Sequence, residues 1–201
     1  MATDLITSFV LVMRNFIFLI ISPYKTMRKI SLEKDYYQPV FIIGIIFVYF
    51  KFIYYLRDKV YPATLIYFLF VFNFLLTASF FYLLSKLFSQ NKKEVIFSRF
   101  IITFSYSLFP TIIWFLSTSI LFIFLPPPRT FSILGKGFSI FFVAYSLSLL
   151  IWKLILGYLA IRFSSKQNFF NILTMIIYYL IWFIPYSVFL YQLKLFRVPF
   201  I

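Results

Sequence analysis

The sequence predicts an all-α, polytopic membrane helix bundle with five transmembrane helices and an N-terminal interfacial amphipathic helix. Of its 201 residues, 63% are hydrophobic and only 12% are charged, and the mean hydropathy is +0.98. One soluble core could not hide that many apolar side chains, so a water-soluble globule is excluded. The apolar residues form long runs, and most charged residues lie in the short segments between them. We therefore expect residues 1–201 to form a single membrane domain.

Five apolar runs are long enough to cross a bilayer. A hydrocarbon core of about 30 Å needs roughly 20 apolar residues in a helix. The predicted spans cover residues 39–56, 62–84, 100–125, 138–161 and 169–193. Pro39 and Pro62 stand in the first turn of their runs, where the missing N–H of proline costs no hydrogen bond. Three consecutive prolines at 126–128 are expected to end the third run, because they cannot continue a helix.

Residues 1–35 are predicted to form an interfacial helix followed by a basic cytoplasmic segment. On a wheel of about 100° per residue, one side of the stretch around residues 5–21 is polar and the other is apolar. The polar side carries Asp4, Thr7, Ser8, Arg14, Asn15 and Ser22, and the apolar side carries Leu5, Phe9, Val12, Met13, Phe16 and Ile20. That pattern is typical of a helix in the plane of the interface. A sixth crossing by the same stretch is the alternative. Ser22 and Pro23 are predicted to end this helix, since the residue before a proline is biased away from helical geometry.

Two prolines lie inside predicted spans, Pro110 in the third and Pro185 in the fifth. Each removes a backbone hydrogen bond and is expected to bend its helix, either to aid packing or to serve as a hinge. Small residues four apart are expected to let neighbouring helices approach closely. Such pairs occur at Thr103 with Ser107 and at Ala144 with Ser148.

The chain is strongly basic, with 19 Lys and Arg against 5 Asp and Glu and a net charge of +14. Because these residues lie mainly between apolar runs, we interpret them as topology signals and lipid contacts, and we expect no nucleic acid. Alternate segments carry eleven and seven basic residues, which predicts a cytoplasmic N-terminus and an external C-terminus in the cell membrane. Lys153, inside the fourth span, is expected to reach the cytoplasmic headgroups by snorkelling. The predicted contacts with anionic headgroups are Lys25, Arg28, Lys29 and Lys153.

The residue inventory argues against catalysis. The chain has no Cys and no His, which excludes disulfides, thiolate or imidazole metal ligands, and Ser-His or Cys-His nucleophile pairs. All five carboxylates fall outside the apolar runs, so no acid is available at mid-membrane for a proton relay or for paired acid–base chemistry. Gly135-Lys136-Gly137 lacks the spacing and the Ser or Thr of a phosphate-binding loop. We expect no enzyme, no metal site and no cofactor.

Several short motifs occur in a familiar order along the chain. They are Ser22-Pro23 with Thr26-Met27, Ser105-Tyr106-Ser107 with Phe109-Pro110, the stretch from Trp152 to Gly157, and Arg162-Phe163-Ser164. In these features the chain resembles the Yip family of Rab/Ypt-interacting membrane proteins, and especially its short prokaryotic members. The resemblance implies five transmembrane helices and a cytoplasmic N-terminus. It also implies an association with other membrane proteins, in some prokaryotic members with export transporters.

These observations together predict a non-enzymatic scaffold or accessory subunit. Its expected partners are anionic membrane lipids and other integral membrane proteins, and it could also form a homo-oligomer. The alternative is a small-molecule transport component, such as the substrate-binding membrane subunit of an importer. Those subunits usually carry an alanine-rich helix for docking on their coupling partner, and none of the apolar runs here is rich in alanine.

Overall fold

The computed structural model describes residues 2–56, 63–89, 95–124 and 133–193. Within these ranges every regular element is a helix, which confirms the predicted all-α membrane bundle. The helices are α1 (Ala2–Ile21), α2 (Pro23–Ile30), α3 (Tyr37–Leu56), α4 (Ala63–Phe88), α5 (Phe97–Ser107), α6 (Phe109–Phe124), α7 (Ile133–Ser165) and α8 (Phe169–Gln192). Predictions about Pro62 and the three prolines at 126–128 lie outside the described residues.

Four helical stretches in the described ranges are long and apolar enough to cross a bilayer. They are Thr64–Phe88, Phe97–Leu121, Gly135–Ser165 and Phe169–Gln192, the second of which combines α5 with most of α6. Four of the five predicted spans fall on these stretches. The remaining one, 39–56, falls on α3, and the apolar parts of α3 and α1 are shorter, Tyr37–Phe52 and Leu5–Ile21. Crossings by α1 and α3 stay predictions.

Helix α5 forms the centre of the bundle. It contacts α2, α3, α4, α6 and α7, and its side chains from Ile102 to Ser107 are all buried. Small hydroxyl residues make this position possible, because they let helix backbones approach closely where lipid provides no hydrophobic driving force. Thr103 is one of them, and its Oγ1 lies 2.7 Å from Oγ of Ser164 in α7.

The outer helices α7 and α8 keep many apolar side chains on the surface, such as Ile140, Leu147, Ile181 and Phe189. Such surfaces suit contact with lipid, since a helix that is hydrophobic on all sides belongs in a membrane or a large core. Helix α7 has 33 residues, and at about 1.5 Å per residue it is about 50 Å long. It is therefore longer than the hydrocarbon core and extends beyond it.

The two internal prolines have different effects. Helix α5 ends at Ser107 and α6 begins at Phe109, so the third predicted span divides at Leu108, two residues before the buried Pro110. The bend expected at Pro110 stays a prediction. Pro185, by contrast, is exposed inside α8, which continues without a break. Pro185 therefore does not end its helix.

Helix α1 is oriented differently from the helical-wheel expectation. Ser8 and Asn15 from its polar side are buried in the bundle, together with Val12 and Phe16 from its apolar side. Exposed positions include Phe9, which the wheel places on the apolar side. Part of the polar side of α1 therefore faces the protein interior, where Asn15 has a hydrogen-bonding partner.

Candidate functional site

Helix α2 has one buried face and one basic face. Ser22 is its N-cap residue and Pro23 occupies its first turn, where the ring costs no hydrogen bond. The Thr26 hydroxyl donates to the backbone oxygens of Ser22, at 2.9 Å, and of Phe18, at 3.1 Å. Three residues of α2 are buried, namely Thr26, Met27 and Ile30. Three basic residues are exposed, namely Lys25, Arg28 and Lys29.

The C-terminal end of α7 packs beside α2 and enlarges its basic face. The rings of Tyr24 and Phe163 meet edge to face with centroids 5.0 Å apart, and the Arg162 guanidinium lies 5.7 Å from the centroid of the Tyr24 ring. Arg162 and Lys166 are both exposed. We call the five exposed residues the basic surface: Lys25, Arg28, Lys29, Arg162 and Lys166.

The start of α5 lies at the same end of the bundle as the basic surface. Ser164 of α7 donates to the backbone oxygen of Arg99 at 3.3 Å, in addition to its contact with Thr103. The count of basic residues in alternate segments predicts that α2, Arg99 and Arg162 lie on the same side of the membrane. These contacts place the three at one end of the molecule.

A chain of hydrogen bonds, buried around Tyr106 and partly buried at its acidic end, connects α1, α5 and α3 beneath this end. Asn15 Nδ2 donates to the Tyr106 hydroxyl at 3.1 Å, and that hydroxyl donates to Gln38 Oε1 at 2.5 Å. Gln38 Nε2 donates to Glu33 Oε2 at 2.8 Å and to Asp35 Oδ2 at 3.3 Å. We call these five residues the polar chain. It holds two of the five carboxylates against the bundle and fixes the segment between α2 and α3.

A cavity of about 310 Å³ lies between α4, α5, α7 and α8. Its wall is mainly apolar, with phenylalanines from α4, α5 and α8. Asn73 of α4 and Lys153 of α7 also line it, and so does Gly157, one turn beyond Lys153. Hydrogen bonds between α4 and α8 close one side, such as that between Thr77 Oγ1 and the Tyr179 hydroxyl at 3.0 Å. Lys153 thus belongs to a cavity wall, and its predicted contact with headgroups stays a prediction.

Sequence reasoning missed both the polar chain and the cavity. Asn15 and Tyr106 are 91 positions apart, so no local pattern connects them. The available signal was the presence of Asn15, Gln38 and Asn73 inside or beside apolar runs, because polar groups in a membrane need internal partners. Among the described residues, no group of three or more His, Cys, Asp and Glu is placed to hold a metal ion.

The other predicted positions are spread over the bundle. Trp152 is half-buried, and its ring meets Phe109 edge to face at 5.6 Å. Pro110 directly follows Phe109 in the sequence and is buried, whereas Pro185 is exposed on α8. Comparisons with protein-family models, curated proteins and solved structures return no match. Membership of the Yip family therefore stays a prediction from the sequence motifs.

Proposed function

We propose that this protein is a non-enzymatic, Yip-type scaffold or accessory subunit for other membrane proteins, such as an export transporter. It acts in the cell membrane with its N-terminus in the cytoplasm and its C-terminus outside. The observation that carries this proposal is the basic surface, five exposed cations contributed by α2, the last turn of α7 and Lys166 just after it. Anionic lipid headgroups and acidic segments of other membrane proteins are the partners that such a surface attracts.

The basic surface is held in a fixed position, and this supports a docking role. Met27 and Ile30 are completely buried beneath α2, and Thr26 joins α2 to the last turn of α1. A fixed surface loses little conformational entropy on binding, so more of the electrostatic attraction remains as affinity. Near an anionic membrane each Lys or Arg contributes about 1 kcal/mol.

Crosslinking in native membranes tests this proposal. The chain contains no cysteine, so Leu32→Cys, at an exposed position just after α2, provides a single attachment point for a cysteine–amine crosslinker. We expect one defined adduct with another integral membrane protein. The double variant Arg28→Glu with Lys29→Glu should lose most of this adduct, because it reverses the charge of the basic surface.

The matched control reverses two exposed lysines outside the basic surface, Lys51→Glu with Lys136→Glu, and should keep the adduct. Equal loss in both double variants, or no adduct in the parent, would contradict the accessory role. An adduct of two copies of this chain alone would instead show a homo-oligomer and would also contradict the role as a subunit of a larger assembly.

A small-molecule transport component is the second candidate function, and the cavity favours it. Pockets that bind small molecules are concave, mainly apolar and furnished with a few polar groups, as this cavity is. A thermal-shift screen of the purified protein with metabolites tests it. Specific stabilisation that Gly157→Leu abolishes would support transport, and no response alongside a co-purifying membrane partner would count against it.

A further inference from the structure

Asn73, a residue of the cavity wall, carries a buried hydrogen-bond donor with no acceptor among the described residues. Asn73 is only 4% exposed. Its Oδ1 accepts a hydrogen bond from the Tyr186 hydroxyl at 2.8 Å, whereas its Nδ2 is buried and lacks a partner in the described structure. A buried donor left without an acceptor costs about 1–3 kcal/mol. Because Asn73 lines the cavity, a ligand oxygen that approached its amide nitrogen would provide that acceptor.

Lys153 gives the same cavity a positive charge deep in the membrane. It lies three residues past the middle of the 31-residue stretch Gly135–Ser165. None of the described residues that form the cavity wall is Asp or Glu. A cation at this depth marks a functional site by default and favours an anionic partner. Lys153 and Asn73 together therefore favour a negatively charged oxygen.

The side of the cavity formed by α7 and α8 has exposed apolar residues in its wall. Two residues of its wall are well exposed, Leu154 of α7 at 65% and Leu180 of α8 at 45%. Both are leucines near the middle of long apolar helices, so we infer that this side of the cavity faces the hydrocarbon of the bilayer and gives access to it. A ligand that enters by this route must itself partition into lipid, which argues for an apolar tail.

Gly157 leaves room for such a tail inside the cavity. No heavy atom lies within 4 Å of the position that a Cβ would occupy on Gly157. Gly157 also follows Lys153 by four positions, which places both residues on one face of α7. At about 310 Å³, the cavity has the size of a small ligand pocket, since such pockets measure about 300–1,000 Å³. It accommodates a head group and the first part of a chain.

We propose that this cavity binds an anionic amphipath, a single carboxylate or phosphate head on an alkyl or acyl chain. Lys153 and Asn73 bind the head group, and the chain passes Gly157 and leaves between Leu154 and Leu180. The head group can come from a free fatty acid or from a phospholipid. This site goes beyond the accessory role, which depends on the basic surface, and it does not require that role.

Ligand titration of the purified full chain in nonionic detergent tests the site, with native mass spectrometry and calorimetry as readouts. Laurate, dodecyl phosphate and dilauroyl phosphatidic acid are the anionic probes, and methyl laurate is the neutral control. We expect one anionic probe bound per chain and at least about tenfold weaker binding of methyl laurate, the effect of losing one charge-assisted hydrogen bond. Binding of laurate alone assigns the site to fatty acids, and binding of phosphatidic acid assigns it to phospholipids.

Variants separate this site from general partitioning into the protein–detergent particle. Lys153→Gln should weaken anion binding about tenfold or more, whereas Lys153→Arg should retain it. Lys136→Gln makes the same charge change at an exposed position of α7 outside the cavity and should have no effect.

Gly157→Leu should abolish binding by filling the cavity. Gly44→Leu is the matched control, since a Cβ on Gly44 also has open space around it and Gly44 does not line the cavity. Thermal unfolding of each variant verifies that it is folded. Equal binding of laurate and methyl laurate, unchanged binding in Lys153→Gln, or no binding of any anionic probe would overturn the proposal.

Discussion

The hydroxyl group of Tyr106 connects three helices through hydrogen bonds. It accepts a hydrogen bond from Asn15 of α1 and donates one to Gln38 of α3, and the Tyr106 side chain is completely buried. Because the bilayer core contains no water to replace a lost partner, polar groups at this depth depend on one another. The presence of Asn15 and Gln38 in a chain so rich in apolar residues is therefore explained by their shared partner, which sequence patterns cannot reveal.

Removal of this hydroxyl tests the role of the polar chain. Tyr106→Phe should destabilise the protein by about 1–3 kcal/mol, since it leaves Asn15 and Gln38 buried without their partner. Thermal or denaturant unfolding in detergent measures the change. Tyr178→Phe is the control, because that tyrosine is exposed on α8, and it should be close to neutral. Equal destabilisation by the two variants would show that the polar chain contributes nothing specific.

Helix α2 is too short to be stable alone and depends on its contacts with the bundle. It has eight residues, whereas isolated helices shorter than about 12–15 residues are marginal in water. Its stability comes from the buried Met27 and Ile30 and from the hydrogen bonds of Thr26 to Phe18 and Ser22. The basic surface therefore keeps its shape only while α2 stays docked.

Thr26→Val tests this dependence while preserving side-chain shape. The loss of the hydroxyl proton that Ser22 and Phe18 share should increase amide exchange in the segment Pro23–Ile30 roughly tenfold, as measured by hydrogen–deuterium exchange. Thr174→Val is the matched control, because the exposed Thr174 hydroxyl donates to Phe170 of its own helix and to no other helix in the described part of the chain. An exchange rate in α2 that is unchanged by Thr26→Val would contradict the proposed docking.

At the scale of elements, composition predicts most of the helices but not their neighbours. The four long spans follow from apolar length, whereas the break between α5 and α6 lies at Leu108, two residues before the proline where a bend is predicted. The prediction that small residues four apart lie at close contacts between helices is correct only in part. Thr103 contacts α7 as expected, whereas Ala144 and Ser148 are exposed. A pair of small residues permits a close contact, but the partner helix that makes it is determined by the whole bundle.

Over the whole molecule, the two candidate sites arise from residues that are distant in sequence. The basic surface combines α2 with the end of α7, and the cavity needs α4, α5, α7 and α8 together. Sequence analysis identifies Lys25, Arg28, Lys29, Lys153 and Gly157 one by one. It cannot assemble them, because interhelical contacts depend on packing across more than a hundred residues.

The central claim is that the helices cross a bilayer and place the basic surface on its cytoplasmic side. The most direct test is labelling of single cysteines with a membrane-impermeant maleimide, in intact cells and in inverted vesicles. Single cysteines that replace Lys29 or Lys166 report on the basic surface. Single cysteines that replace the exposed Lys51 or Lys136 report on the side that the count of basic residues predicts to be external. We predict that the first pair reacts only in inverted vesicles and the second pair only in intact cells. Reaction of Lys29→Cys and Lys166→Cys from opposite sides, or of all four variants from one side, would contradict the account.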